Sequence, residues 1–180
     1  MRIIVAITGA SGIPYAVALL KELKAEKHLI VSKKAETVIE RESDMGIDEI
    51  RSMAEFVHDP TDLAAPMASG TARFDAMVIV PCSMSTLSKI SCGIADNLIC
   101  RTAQVFLKEG RKLILVPREM PLSPIHLENM KRLADCGAVI MAAMPPFYTR
   151  PSNVEDIIDF VVGKILDSLG IEHTLYEPWS

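Results

Sequence analysis

Apolar positions along this chain fall into short continuous runs separated by longer stretches with helical spacing. Arg2 to Thr8, His28 to Val31, Ala76 to Val80, Lys112 to Val116 and Ala138 to Met141 read as buried strands, and Phe56-Val57-His58 as a weaker one. Between them the 3.6-residue period predicts helices over about Ile13 to Ala25, Lys33 to Glu42, Ser85 to Ile90, Asn97 to Lys108 and Ser123 to Asp135. A last helix is expected from Val154 to Leu169. A strand that is apolar on both sides must be covered on both sides, so strands of this kind alternating with amphipathic helices predict a three-layer, doubly wound parallel α/β sheet. Ser43 to Gly70 is the least regular part and is expected to carry surface structure.

Composition narrows the picture. With 180 residues and 49% hydrophobic content, the chain suits one domain over 1–180. Its net charge is −4 and its 19 basic residues are scattered, which argues against a nucleic-acid partner. The longest apolar runs are of strand length, so neither a membrane span nor a signal peptide is expected. Cys82, Cys92, Cys100 and Cys136 form no CxxC pair and have no His at ligand spacing, as expected for reduced thiols in a cytoplasm and for a protein without a metal site. Cys82 has no base positioned beside it that would make it a nucleophile.

Candidate chemistry gathers at strand ends, where ligands of doubly wound sheets sit. Val80-Pro81-Cys82-Ser83-Met84-Ser85-Thr86 runs from a strand into a helix with three hydroxyls in four residues, a seat for phosphate or for the polar edge of a flat heterocycle. Gly9-Ala10-Ser11-Gly12 follows the first strand but lacks the full GxGxxG pattern. The second strand ends in Ser32-Lys33-Lys34 in place of an acidic residue, which favours a mononucleotide over a dinucleotide. Arg118-Glu119 lies in a proline-stiffened loop, either as a surface ion pair or as a guanidinium gripping phosphate beside a carboxylate that moves a proton. Met144-Pro145-Pro146-Phe147-Tyr148 is an apolar loop that covers a site or packs on another subunit, and Tyr148 can reach a phosphate oxygen. His126 reads as a capping or packing residue, and His28, His58 and His173 have no partners that suggest a metal.

Taken in order, GASG, Ser32-Lys33, PCSMSTL, the stretch ADNLICRTAQVFLKEGRKLILVPREMPLSPIHLENM and the MPPFY loop resemble the UbiX-type flavin prenyltransferases over nearly the whole chain. The resemblance implies a Rossmann-like or flavodoxin-like FMN-binding subunit in a large homo-oligomer, commonly a dodecamer. It implies that reduced FMN receives the dimethylallyl group of dimethylallyl monophosphate across N5 and C6, and that the product goes to a UbiD-type decarboxylase. Gly9, Ala10, Ser11, Ser32, Ser83, Met84, Ser85, Thr86 and Arg118 match the family's flavin-binding positions. Tyr148, Lys164, Arg101 and Lys108 match positions around the prenyl phosphate, and Trp179 matches a lid aromatic. Glu119, Ser11, Glu42 and Arg118 form the candidate catalytic set, with Glu119 or the departing phosphate as proton acceptor and Glu42 approaching from a neighbouring subunit. Several relatives carry Arg at the position of Lys164, and Lys keeps the charge without the bidentate fork. Two other readings are an FMN-dependent cysteine-type decarboxylase and a non-catalytic flavin carrier. The second strand's Ser32-Lys33 argues against the former and a second anion pocket against the latter.

Overall fold

A computed structural model describes residues 1–177. Strands β1 (Arg2–Ile7), β2 (Glu26–Val31), β3 (Phe56–His58), β4 (Ala76–Cys82), β5 (Lys112–Pro117) and β6 (Val139–Ile140) form one sheet in the order β3-β2-β1-β4-β5-β6, every pairing parallel. This is the Rossmann order rather than the flavodoxin one. The connecting helices are α1 (Ile13–Glu22), α2 (Lys33–Glu42), α3 (Ile47–Arg51), α4 (Met84–Ser91), α5 (Leu98–Lys108), α6 (Pro124–Asp135) and α7 (Val154–Leu169).

The two-sided burial predicted from the apolar runs is seen along β1. Ile3, Val5 and Ile7 join the core shared with α1, α2 and α7, while Ile4 and Ala6 join the core shared with α4, α5 and α6. All five are fully buried. At roughly 1.5–3 kcal/mol for each large aliphatic side chain, this strand alone supplies several kcal/mol of hydrophobic driving force. The elements agree with the apolar pattern except at some ends. α1 stops at Glu22 because Leu23 turns extended, and β2 starts at Glu26, its polar first residues being solvated at the sheet's lower edge. The irregular segment after α2 is anchored by Ile50 and Met67, both essentially buried. His126 completes a capping box with Ser123 at the start of α6.

Among the described residues no helix is long and apolar enough to cross a membrane. Helix α7 is fixed through the Leu166 side chain, which is fully buried in the α1–α7 core. Leu166→Ala is expected to lower unfolding stability by about 2–5 kcal/mol in urea titration.

Candidate functional site: a cleft at the β1–β4 switch point

Connections leave β1 and β4 towards opposite faces of the sheet, so the loops at their carboxyl ends diverge and open a crevice. The edge of that crevice is held by Thr8, which is 1% exposed. Its hydroxyl donates to the Pro81 carbonyl at 2.8 Å and accepts from the Ser83 N–H at 2.7 Å, tying the end of β1 to the start of α4. Sequence reasoning counted Thr8 only as the last strand residue; a hydroxyl closing an otherwise aliphatic run was the available signal.

Above this tie lies a cleft of about 640 Å³, lined by residues that include Gly9, Ser32, Ser83, Ser85 and Thr86. Its size is that of a ligand pocket. Ser32 caps α2 by accepting from the Ala35 N–H, and Ser83 caps α4 by accepting from the Thr86 N–H. Asn97, on the same wall, caps α5 by accepting from the Cys100 N–H. Three helix N-termini thus meet at one cleft, with Lys33, Lys34, Arg51 and Lys89 in its lining. Glu36 and Asp59 also line the cleft, with Arg51 paired to Glu36 and Lys89 to Asp96, so the aligned peptide dipoles together with Lys33 and Lys34 are what fit an anionic ligand such as a nucleotide phosphate. Gly9 admits the close approach of α2, since a Cβ there would stand 2.7 Å from the Lys34 Cβ.

The fourth nearby N-terminus, that of α1, is already taken. Glu42 Oε2 accepts from the N–H groups of Gly12 at 2.8 Å and Ile13 at 3.2 Å, and the Ser11 hydroxyl also bonds this carboxylate. Burial alone would raise its pKa. The hydrogen bonds from Ser11, Gly12 and Ile13, together with the Arg118 charge, outweigh burial and hold it below the usual carboxylate range. Within its own chain Glu42 caps α1; the approach to a neighbouring subunit's flavin that the resemblance implies concerns a contact between subunits.

The remaining expected residues divide among four places. Arg118 sits at the rim beyond β5, its Nε donating to the Ser11 carbonyl at 3.4 Å, and exposed Glu119 accepts from the Met120 N–H at 3.1 Å. Ala10 is buried in the first turn, and the Met84 side chain packs into the core, leaving its backbone as the part that can face a ligand. Tyr148 and Lys164 share a second cleft of about 870 Å³ with Phe160, Asp167, His173 and Tyr176. There Lys164 donates to Asp167 at 3.2 Å, which raises its pKa, and Asp167 also accepts from Tyr176. Arg101 and Lys108 line neither of these clefts: on α5, Arg101 donates to the Ala68 carbonyl and Lys108 pairs with Glu109. Trp179 lies outside the described residues.

Cys82 is fully buried, and burial pushes its thiol far up, which removes it as a nucleophile. No group of His, Cys, Asp and Glu among the described residues is arranged to hold a metal.

A family model described as Flavoprotein matches residues 1–166. A flavin prenyltransferase UbiX of Methanocaldococcus jannaschii is 51% identical over 99% of this chain and 98% of its own length. The chain belongs to the UbiX-type flavin prenyltransferase family. Among solved structures, a dodecameric FMN-dependent UbiX-like decarboxylase from Escherichia coli O157:H7 matches with a TM-score of 0.97, at 48% identity and full coverage of both chains. A UbiX structure in complex with FMN and dimethylallyl pyrophosphate matches with a TM-score of 0.94 at 46% identity, covering 99% of this chain and 97% of that one. The strand ends that form the cleft here lie within the matched length of both.

Two outcomes test this geometry. Native protein treated with iodoacetamide is expected to be modified at exposed Cys92 and Cys136 and spared at Cys82, as read by peptide mass. Glu42→Gln should reduce stability most at neutral pH. The depressed folded-state pKa means that the wild-type carboxylate contributes fully above its unfolded value of 4.5 and loses that contribution as pH falls through the lower folded value. The gap between wild type and variant in urea titrations should therefore close in acid.

Proposed function

We propose that this protein is a flavin prenyltransferase, joining the dimethylallyl group of dimethylallyl monophosphate to N5 and C6 of reduced FMN and supplying the product to a UbiD-type decarboxylase. The observation that carries the reading is the presence of two separate polar clefts in a chain of this family. One, at the switch point, suits a mononucleotide; the other brings together Tyr148 and Lys164. A flavin carrier has no need of the second.

Reduced flavin supplies the nucleophilic nitrogen and ring carbon. The chain's own residues supply binding, charge and proton management. The carbon–oxygen bond of the allylic phosphate breaks with its electron pair leaving on phosphate, so the departing group needs cations and hydrogen-bond donors aimed at it. Lys164 and Tyr148 fit that task once Lys164 exchanges Asp167 for the phosphate. The ring carbon that takes the second bond sheds its proton, and Glu119 or the released phosphate accepts it. Arg118 lies beside Ser11 and Glu42 at the start of α1, and the Tyr148–Lys164 cleft, at the far ends of α1 and α7, would meet the flavin cleft of a neighbouring subunit in the assembly.

The dispersal of Arg101 and Lys108 onto α5 supports a site completed between subunits. Homo-oligomeric assembly, with twelve copies as in the E. coli relative, would return them to the phosphate. The four free cysteines support work in the cytoplasm.

Anaerobic incubation with reduced FMN and dimethylallyl monophosphate, or the diphosphate, should yield an extracted flavin heavier by one five-carbon unit. An unaltered flavin mass with both donors would sink the proposal. Tyr148→Phe and Lys164→Ala are expected to raise the prenyl-donor KM about tenfold or more while FMN still binds, as removal of one hydrogen bond to a charged group implies. Glu119→Gln should slow ring closure more than flavin binding, as followed by single-turnover spectra.

A further inference from the structure

A chain of side chains unconnected with the residues above reaches the flavin cleft from the β3 side. Glu26, at the start of β2, lies 2.8 Å from His28 Nε2 and accepts from Arg2 Nε at 2.7 Å. The other nitrogen of His28, Nδ1, lies 3.0 Å from His58 Nε2. His28 is only 4% exposed and is caged by Phe56, stacked at 4.7 Å, and Phe74, edge-on at 4.9 Å. The Arg2 guanidinium lies 4.3 Å over the Phe74 ring and completes the cage.

The hydrogen-bond logic runs one way. Hydrogen bonds from His28 and then Arg2 lower the pKa of Glu26 and keep it a carboxylate, which can only accept. His28 therefore carries its proton on Nε2 and offers the Nδ1 lone pair, which fixes the His58 proton on Nε2. Neutral His58 is left with an accepting Nδ1 that has no hydrogen-bond partner among the described residues. Burial, then the neighbouring His28, lowers the His58 pKa against the opposing pull of Asp62, so the ring is neutral at pH 7. His58 also lines the cleft, together with Ser32, Ser83 and Thr86.

We propose that His58 is a flavin-binding residue: its Nδ1 accepts a hydrogen bond from a hydroxyl or N–H of the flavin, and Glu26 and His28 act as positioning residues that set its tautomer. This rests on the flavin reading of the cleft. The same wall carries Lys33 of α2, Arg51 of α3, Lys89 of α4 and Asp59 of the loop after β3, and these charges set the field in which His58 titrates.

The test is equilibrium titration of the full-length protein with FMN and, separately, riboflavin, from about pH 5 to 8, by flavin fluorescence. Wild type that binds neither flavin would overturn the flavin reading itself. With wild type binding, His58→Phe is expected to weaken both flavins about tenfold, the loss of one hydrogen bond. His58→Asn, whose amide oxygen is an acceptor, should restore most of that affinity. Wild-type affinity should hold through the ordinary imidazole value of 6.5 and fall only as pH drops through the lowered His58 pKa, since a protonated Nδ1 donates instead of accepting. Glu26→Gln, whose amide N–H can donate to His28 Nε2, should let the relay reverse, place the His58 proton on Nδ1 and weaken both flavins. Unchanged binding by His58→Phe, a loss confined to FMN with riboflavin unaffected, or unchanged binding by Glu26→Gln would each overturn the inference. Should His58→Phe fail to fold, the retained, pH-independent affinity of His58→Asn and the weakened binding of Glu26→Gln still decide it.

Discussion

The hydroxyl of Thr8 makes the contact on which the rest of the flavin cleft depends. A parallel sheet buried on both faces leaves only its strand ends for chemistry, and at the switch point the two central strand ends diverge. Donating to Pro81 and accepting from Ser83, this buried group reinforces the backbone bond from the Thr8 N–H to the same Pro81 carbonyl and extends the tie between β1 and β4 to the start of α4. Its neighbours follow from that tie: the glycine turn on one side, the Ser83 cap of α4 on the other, and the crevice between them. Hydrogen bonds of this kind, dry and fully satisfied, specify geometry more than they add stability.

Charge placement then selects what the crevice accepts. Glu42 neutralises the N-terminus of α1, the position at which a Rossmann sheet ordinarily holds phosphate, while the N-termini of α2, α4 and α5 lie at the cleft beside Lys33 and Lys34. The same carboxylate gathers Ser11 and Arg118 at the start of α1. In the second cleft Lys164 is held by Asp167, with Glu22 and Glu172 also in the lining, so the phosphate role proposed for it requires the cation to change partner.

Much of this was legible in the chain because strand ends punctuate apolar runs. Gly9, Ser32 and Ser83 announce themselves as small or capping residues after β1, β2 and β4, and each reaches the same cleft. The strands themselves were displaced by no more than a few residues, since both-face burial leaves a continuous apolar signature. Illegible were the contacts that depend on distance in space alone. Thr8 and Pro81 are 73 positions apart, and His28 and His58 are 30 apart, on strands whose pairing no local pattern announces. Glu42 could be aligned with an acidic family position but not oriented, because its direction is set by the approach of α2 to the glycine turn. Met84 matched a binding position, yet its side chain belongs to the core, since the apolar face of α4 turns inward.

The central claim is that FMN occupies the switch-point cleft with its anionic group at the N-termini of α2, α4 and α5, leaving α1 to Glu42. A crystal structure of the protein with FMN tests it most directly. The account predicts flavin density in the cleft rimmed by Ser32, Ser83 and Asn97, with Glu42 still accepting from Gly12 and Ile13. A flavin seated elsewhere, or a phosphate that has displaced Glu42 from the start of α1, would contradict it.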